Sequence, residues 1–171
     1  LTFYRNSGVS GVFLNASGYD YSPFDDMKAW VAAALMIDLS LDVDSLCRAY
    51  LTQVYPTAGK AICEYYTGLE SAFAAKRKPY DIYGGFRRTL RTSLQPCAFM
   101  RFYDTLPSLA DKASGEEKRR LDKLHTALSY TRLQLAYFRG AGEYGYAIRE
   151  GSQMVPRPEM KHVCASLARS S

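Results

Sequence analysis

Two histidines, four cysteines and a scatter of carboxylates are the side chains in this 171-residue sequence whose types could carry chemistry. His125 follows Asp122 by three residues, a spacing that sets an Asp-His pair on one face of a helix. It also sits one turn past Leu121, at the edge of an apolar stripe, and we read it as a structural or surface histidine. His162 lies near Cys164 with no third ligand close by. Cys47, Cys63, Cys97 and Cys164 are widely separated and form no C-x-x-C pair, so neither a zinc site nor a redox dithiol is expected. Each falls on or beside an apolar helical face and reads as a small buried hydrophobe, which leaves the redox compartment open. Asp20, Asp25 and Asp26 cluster after a predicted strand, where parallel-sheet enzymes place their sites. Glycoside hydrolysis would need two carboxylates flanking the bond. Asp25 and Asp26 already serve as first-turn residues of a helix, and Asp20 alone makes no pair. With no nucleophile motif, phosphate loop or metal-ligand cluster, we expect no catalytic residue, no metal and no cofactor in this chain.

Fourteen tyrosines are the other unusual stock, each joining a stacking face to a hydroxyl. Tyr19 and Tyr21 follow the predicted strand and Tyr80 and Tyr83 lie in a loop, placed to meet a sugar or a partner. Tyr50, Tyr65, Tyr103 and Tyr130 sit at helical spacing and are expected in the core.

The elements that would position these residues begin with Gly8 to Leu14, an apolar run bounded by glycines that predicts a strand buried on both faces. No second strand is evident, so either a poorly patterned segment of this chain pairs with it or its sheet lies in a preceding part of the polypeptide. A polar loop leads to a helix start at Ser22 and Pro23, and this helix should bury Met27, Trp30, Val31, Ala34 and Leu35 and end near Asp38. Asp42 is expected to cap a helix that Pro56 ends, followed by an antiparallel helix from Thr57 to Lys76. Phe86 to Leu94 suggests a short basic helix. Pro96 opens another that carries Phe99, Phe102, Tyr103 and Leu106, and Pro107 should kink or restart it. Ser114 to Gly140 is the strongest pattern. Leu121, Leu124, Leu128, Thr131, Leu135 and Phe138 line one face, Ser114 and Glu117 form a capping box, and Gly140 supplies the exit. At ~1.5 Å per residue this helix spans about 37 Å. The hairpin from Val43 to Phe73 and the helix around Phe99 should cover its stripe. Residues 140–151 read as a glycine-tyrosine loop, and Pro158 starts a last helix with Met160, Val163, Cys164 and Leu167.

Length and a 47% hydrophobic content suit one domain with a real core. No apolar run approaches the roughly 18 residues of a membrane span, so we expect a soluble chain and no membrane partner. A net charge of +5 comes from scattered runs at Lys76 to Lys78, Arg87 to Arg91 and Lys118 to Arg120. With no recognition motif beside them, these read as solvated helix ends, and no nucleic acid is expected. No targeting segment is visible at Leu1 to Ser7, and the compartment stays unassigned.

Gly8-Val-Ser-Gly-Val-Phe-Leu, Asp26-Met-Lys-Ala-Trp-Val-Ala-Ala-Ala-Leu-Met, Leu41-Asp-Val-Asp-Ser-Leu-Cys-Arg-Ala-Tyr-Leu and Tyr55-Pro-Thr-Ala-Gly-Lys-Ala-Ile together carry a resemblance. They resemble the end of the catalytic barrel and the helical extension of a bacterial domain-of-unknown-function family, itself similar to α-glucuronidase-type glycoside hydrolases. Arg119-Arg-Leu-Asp-Lys-Leu-His and Leu128-Ser-Tyr-Thr-Arg-Leu resemble that family's long helix after the barrel. Tyr55-Pro-Thr-Ala-Gly departs from the family's Tyr-Gly-x-Ala turn, and Met36-Ile-Asp-Leu replaces a tryptophan-containing run. The resemblance implies a mainly α chain: residues 1–38 as the last βα step of a (β/α)8 barrel and 39–171 as a helical C-terminal domain. The chain would be mainly scaffold, with Asn15, Tyr19 and Asp20 as substrate contacts on one loop of a sugar site. Its partners would be the preceding barrel of the same polypeptide, a carbohydrate ligand and a second copy of itself, in a periplasmic or secreted setting. The other expectation is an independent helical interaction module without catalytic activity.

Overall fold

The computed structural model describes residues 1–13, 24–77, 79 and 84–168. The chain is mainly α. A one-turn helix α1 (Thr2–Asn6) is followed by α2 (Asp25–Ile37), α3 (Val43–Val54), α4 (Gly59–Ala74), α5 (Gly85–Thr92), α6 (Pro96–Lys112) and α7 (Gly115–Arg139). The two-stranded hairpin β1 (Ala147–Glu150) and β2 (Gln153–Pro156) and the helix α8 (Glu159–Ala168) close the chain.

The predicted N-terminal strand is not formed over its described residues. Residues 9–13 lie in neither helix nor strand, Phe13 is 89% exposed, and Leu14 falls outside the described residues. Among the described residues the only strands are β1 and β2, which pair with each other, so nothing supplies the hydrogen bonds that a strand at Gly8 requires. Ser22 and Pro23 also lie outside the described residues. The helix they were expected to open starts at Asp25, after Phe24 in the left-handed conformation.

Local signals placed α3 and α4 well. Asp42 Oδ2 accepts the Ser45 amide at 2.8 Å and caps α3, and the helix stops before Pro56. Gly59 opens α4 against Leu51, so closely that a Cβ there would lie 2.5 Å from the Leu51 carbonyl oxygen. Cys47 and Cys63 are also within electrostatic reach of each other. Both pairings sum to the same register, which makes α3 and α4 antiparallel. The capping box of α7 does not form: Ser114 makes no side-chain cap, and Glu117 turns away to α4. There its carboxylate accepts the Thr57 amide at 2.7 Å, the Thr57 hydroxyl at 2.9 Å and the Ala58 amide at 3.1 Å. These are groups at the start of α4 that the helix itself cannot satisfy. Pro107 neither ends nor restarts its helix, since α6 runs through it.

The main core joins Leu51, Tyr55, Ala58 and Ile62 of the α3–α4 hairpin to Phe99, Phe102, Tyr103 and Leu106 of α6 and to Leu121, Leu124, Leu128 and Leu135 of α7. Tyr65 stacks on Phe102 with ring centroids 4.2 Å apart, and Phe24 meets Tyr55 and Tyr66 edge-on. The α7 stripe is covered chiefly by α6, with α8 on its other side through Ala136, Met160 and Val163. Two residues depart from their expected places on α7. Thr131 is only half-buried, and its neighbour Arg132 takes the fully buried position. Tyr130, expected in the core, is exposed.

Elsewhere, none of the four cysteines reaches the burial expected of it. Cys47 and Cys63 are half-buried, whereas Cys97 and Cys164 are exposed, and all four are free thiols. The expected loop over 140–151 contains β1, whose two-residue Gly151-Ser152 link to β2 is a hairpin signal. Among the described residues no helix is long and apolar enough to cross a membrane.

Candidate functional site

The three residues expected at a sugar site, Asn15, Tyr19 and Asp20, lie outside the described residues, as do Tyr21, Tyr80 and Tyr83. Asp25 and Asp26 are described, and they do structural work. Asp25 pairs with Lys28 at 3.1 Å, while Asp26 accepts from Arg120 of α7 at 2.5 Å. Partial burial would raise the Asp26 carboxyl, but the Tyr50 hydroxyl and the Arg120 guanidinium hold it below its ordinary value. Among the described residues, no three His, Cys, Asp or Glu side chains gather as metal ligands.

The structure instead brings charged residues together where α6, α7, the turn after α7 and α8 meet. The antiparallel packing of α6 on α7 sets Tyr103 against His125, with ring centroids 4.5 Å apart. The Ser129 hydroxyl donates to the His125 carbonyl at 2.9 Å, so the Tyr103 hydroxyl is the donor in its 2.8 Å bond to Ser129 Oγ. Burial depresses the His125 imidazole, against the pull of Asp122 and Asp104. Two turns further along α7 from His125, Arg132 is 2% exposed, a rare degree of burial for a charged residue. Its Nη1 donates to the Tyr144 carbonyl at 2.8 Å. Among the described residues no carboxylate comes within 4.0 Å of it. Burial pushes its pKa down, opposed by Glu159, Tyr103 and Asp104, yet an arginine keeps its charge in any such setting.

Arg132 faces a pocket of about 410 Å³. Asp104 of α6 stands on one side, with its carboxyl raised by partial burial in spite of Arg132 and His125. Arg157 and Glu159 stand on another, 3.9 Å apart, and the Arg157 Nε is buried without a hydrogen-bond partner. The turn after α7 adds Glu143 and Tyr144. The neighbouring Glu143 carboxylate and Cys97 thiol push the Tyr144 hydroxyl up to about 12. This turn is held tight by Gly145, where a Cβ would come 2.0 Å from the Gly140 carbonyl oxygen. That closeness brings the Tyr144 carbonyl over Arg132.

Sequence reasoning missed this cluster because its members are far apart in the chain and belong to no motif. One signal was present: counting four from Leu128 and three back from Leu135 lands on Arg132, a charge in line with the leucine stripe.

A second feature is the outer side of α2. The inner side carries the buried Val31 and Met27, which packs on the core, and Trp30 meets the Tyr50 ring of α3 at 5.8 Å, whereas Ala29, Ala33, Met36 and Ile37 recur at helical spacing on the side left open to solvent. Trp30, expected to be buried, is 42% exposed and Ile37 is 89% exposed. Against known proteins, the chain matches no family model, no curated protein and no solved structure.

Proposed function

We propose that this chain is a non-catalytic helical scaffold that docks through the outer face of α2 on a folded partner body, the (β/α)8 barrel of a glycoside hydrolase-like protein. The observation that carries it is a coincidence of two independent readings. Asp26 to Met36, which the resemblance assigns to the last helix of such a barrel, is the helix whose outward side is apolar and uncovered. A barrel helix buries that kind of stripe on its neighbours, and an uncovered apolar patch is the usual mark of an interface. Residues 8–14 would pair as a strand only once the barrel offers an edge, and the loop with Asn15, Tyr19 and Asp20 would then reach the sugar site.

A second reading, a stand-alone interaction module, is favoured by how firmly α2 is held. Phe24 packs between Tyr55 and Tyr66, and Asp26 is bonded to Arg120. The helical body then needs no barrel to complete it.

Either reading predicts no glycosidase turnover by this chain alone, and robust turnover would sink both. Light scattering tests the face itself: self-association that rises with concentration, lost in Ile37→Glu with an unchanged melting temperature, is expected. A chain that stays monomeric and binds no apolar dye would remove α2 as a docking face. The coding sequence upstream of Leu1 separates the two readings, since strand-helix units with carboxylates at strand ends belong only to the first.

A further inference from the structure

The geometry points to the Arg132 pocket as a binding site for a small zwitterion of the amino-acid or short-peptide class, its carboxylate held by Arg132 and Arg157 and its ammonium by Asp104 and Glu159. The inference does not depend on what covers α2.

Arg132 is the anchor. A guanidinium carries five donors in a planar fork, and here one protein acceptor is in place, the Tyr144 carbonyl. A buried charge without a counter-ion is unfavourable, and a carboxylate that meets the fork with two parallel bonds is the partner its shape fits. Arg157 adds a second guanidinium to the same pocket, with a buried Nε that has no acceptor. A purely anionic ligand would be drawn to these two groups but would also face Asp104, Glu143 and Glu159. A purely cationic one would meet the fixed charge of Arg132. A ligand with both charges a few bonds apart satisfies both sets at once. Met100 and Val163 also line the pocket, so an aliphatic side chain on the ligand has apolar surface to cover. The volume of about 410 Å³ suits one or two amino-acid units.

Calorimetric titration with L-leucine and with the dipeptide Gly-Leu tests this, alongside 4-methylpentanoate, which is leucine without its ammonium, and isoamylamine, which is leucine without its carboxylate. We expect saturable binding of leucine or the dipeptide, at least about tenfold tighter than either single-charge analogue. The tighter of the two zwitterions shows whether free amino acids or peptides are the source. Arg132→Lys keeps the charge and loses the fork, and should weaken the zwitterion about tenfold. Because Arg132 is buried, Asp104→Asn on the exposed side of the pocket is the companion variant: it should weaken leucine and, by removing a like charge, bind 4-methylpentanoate at least as tightly as the parent does. The proposal is overturned if neither zwitterion binds saturably, if either analogue binds as tightly, or if both variants bind as the parent does.

Discussion

His125 shows how a single residue can set a pH response without taking part in chemistry. It is stacked on Tyr103 and half-buried, and burial holds its pKa below the ordinary 6.5. The unfolded chain therefore takes up the proton first as pH falls, so the native state loses stability from about pH 6.5 downward until the lowered folded value is passed. The melting temperature should drop as pH falls below about 6.5, and His125→Phe should flatten that part of the profile. A parent profile already flat there would count against the burial account. The sequence placed His125 at the edge of a stripe and read it as structural, which agrees with its stacked position. It did not yield Arg132, because a helical stripe is traced through apolar residues and a buried arginine breaks that pattern. What makes the position tolerable, the Tyr144 carbonyl, is brought there by a tight turn that no local propensity signals.

At the scale of elements, the joints between helices are more specific than the helices themselves. Glu117 meets three donors at the start of α4, and Glu117→Ala should destabilise the protein by about 1–2 kcal/mol, as the loss of a good cap does. Chemical denaturation would measure it, and a loss no larger than that of Glu64→Ala on the exposed side of α4 would show that the cap contributes little. Gly59 lies where α3 and α4 approach too closely for a side chain. Gly59→Ala must push the hairpin apart at Leu51 and should cost about 1–3 kcal/mol, read as a lower denaturation midpoint with an unchanged slope. Start and stop signals gave α3 to within its observed limits and gave α7 its glycine exit. The capping box failed for a physical reason: local and distant donors compete for the same carboxylate, and only the fold decides which wins. The β1–β2 hairpin was overlooked because glycines and tyrosines suggested a loop, although Gly151-Ser152 sits between two runs of strand length.

For the molecule as a whole, the question is whether α2 belongs to the helical body. Trp30 is the single tryptophan and lies 5.8 Å from the Tyr50 ring on α3, so its fluorescence reports that contact. With Phe24 in the core and Asp26 bonded to Arg120, loss of fluorescence and loss of helical circular dichroism should follow one denaturation curve. An earlier fluorescence transition would mean that α2 detaches first. The mainly α class was legible from helical spacing and cap signals, but the strand expected at Gly8 to Leu14 is not formed over its described part. An apolar run states what must be buried and leaves open what will bury it.

The reach of Glu117 across some sixty residues also bears on the order in which the chain can assemble. During synthesis the α3–α4 hairpin emerges complete long before α7 does, and until then the amides of Thr57 and Ala58 lack the carboxylate that satisfies them. The hairpin is therefore poised rather than settled, its first turn free to fray. Arrival of Glu117 locks that turn at the moment when α7 brings its leucines onto the core, which ties an early local structure to the last long helix in one step.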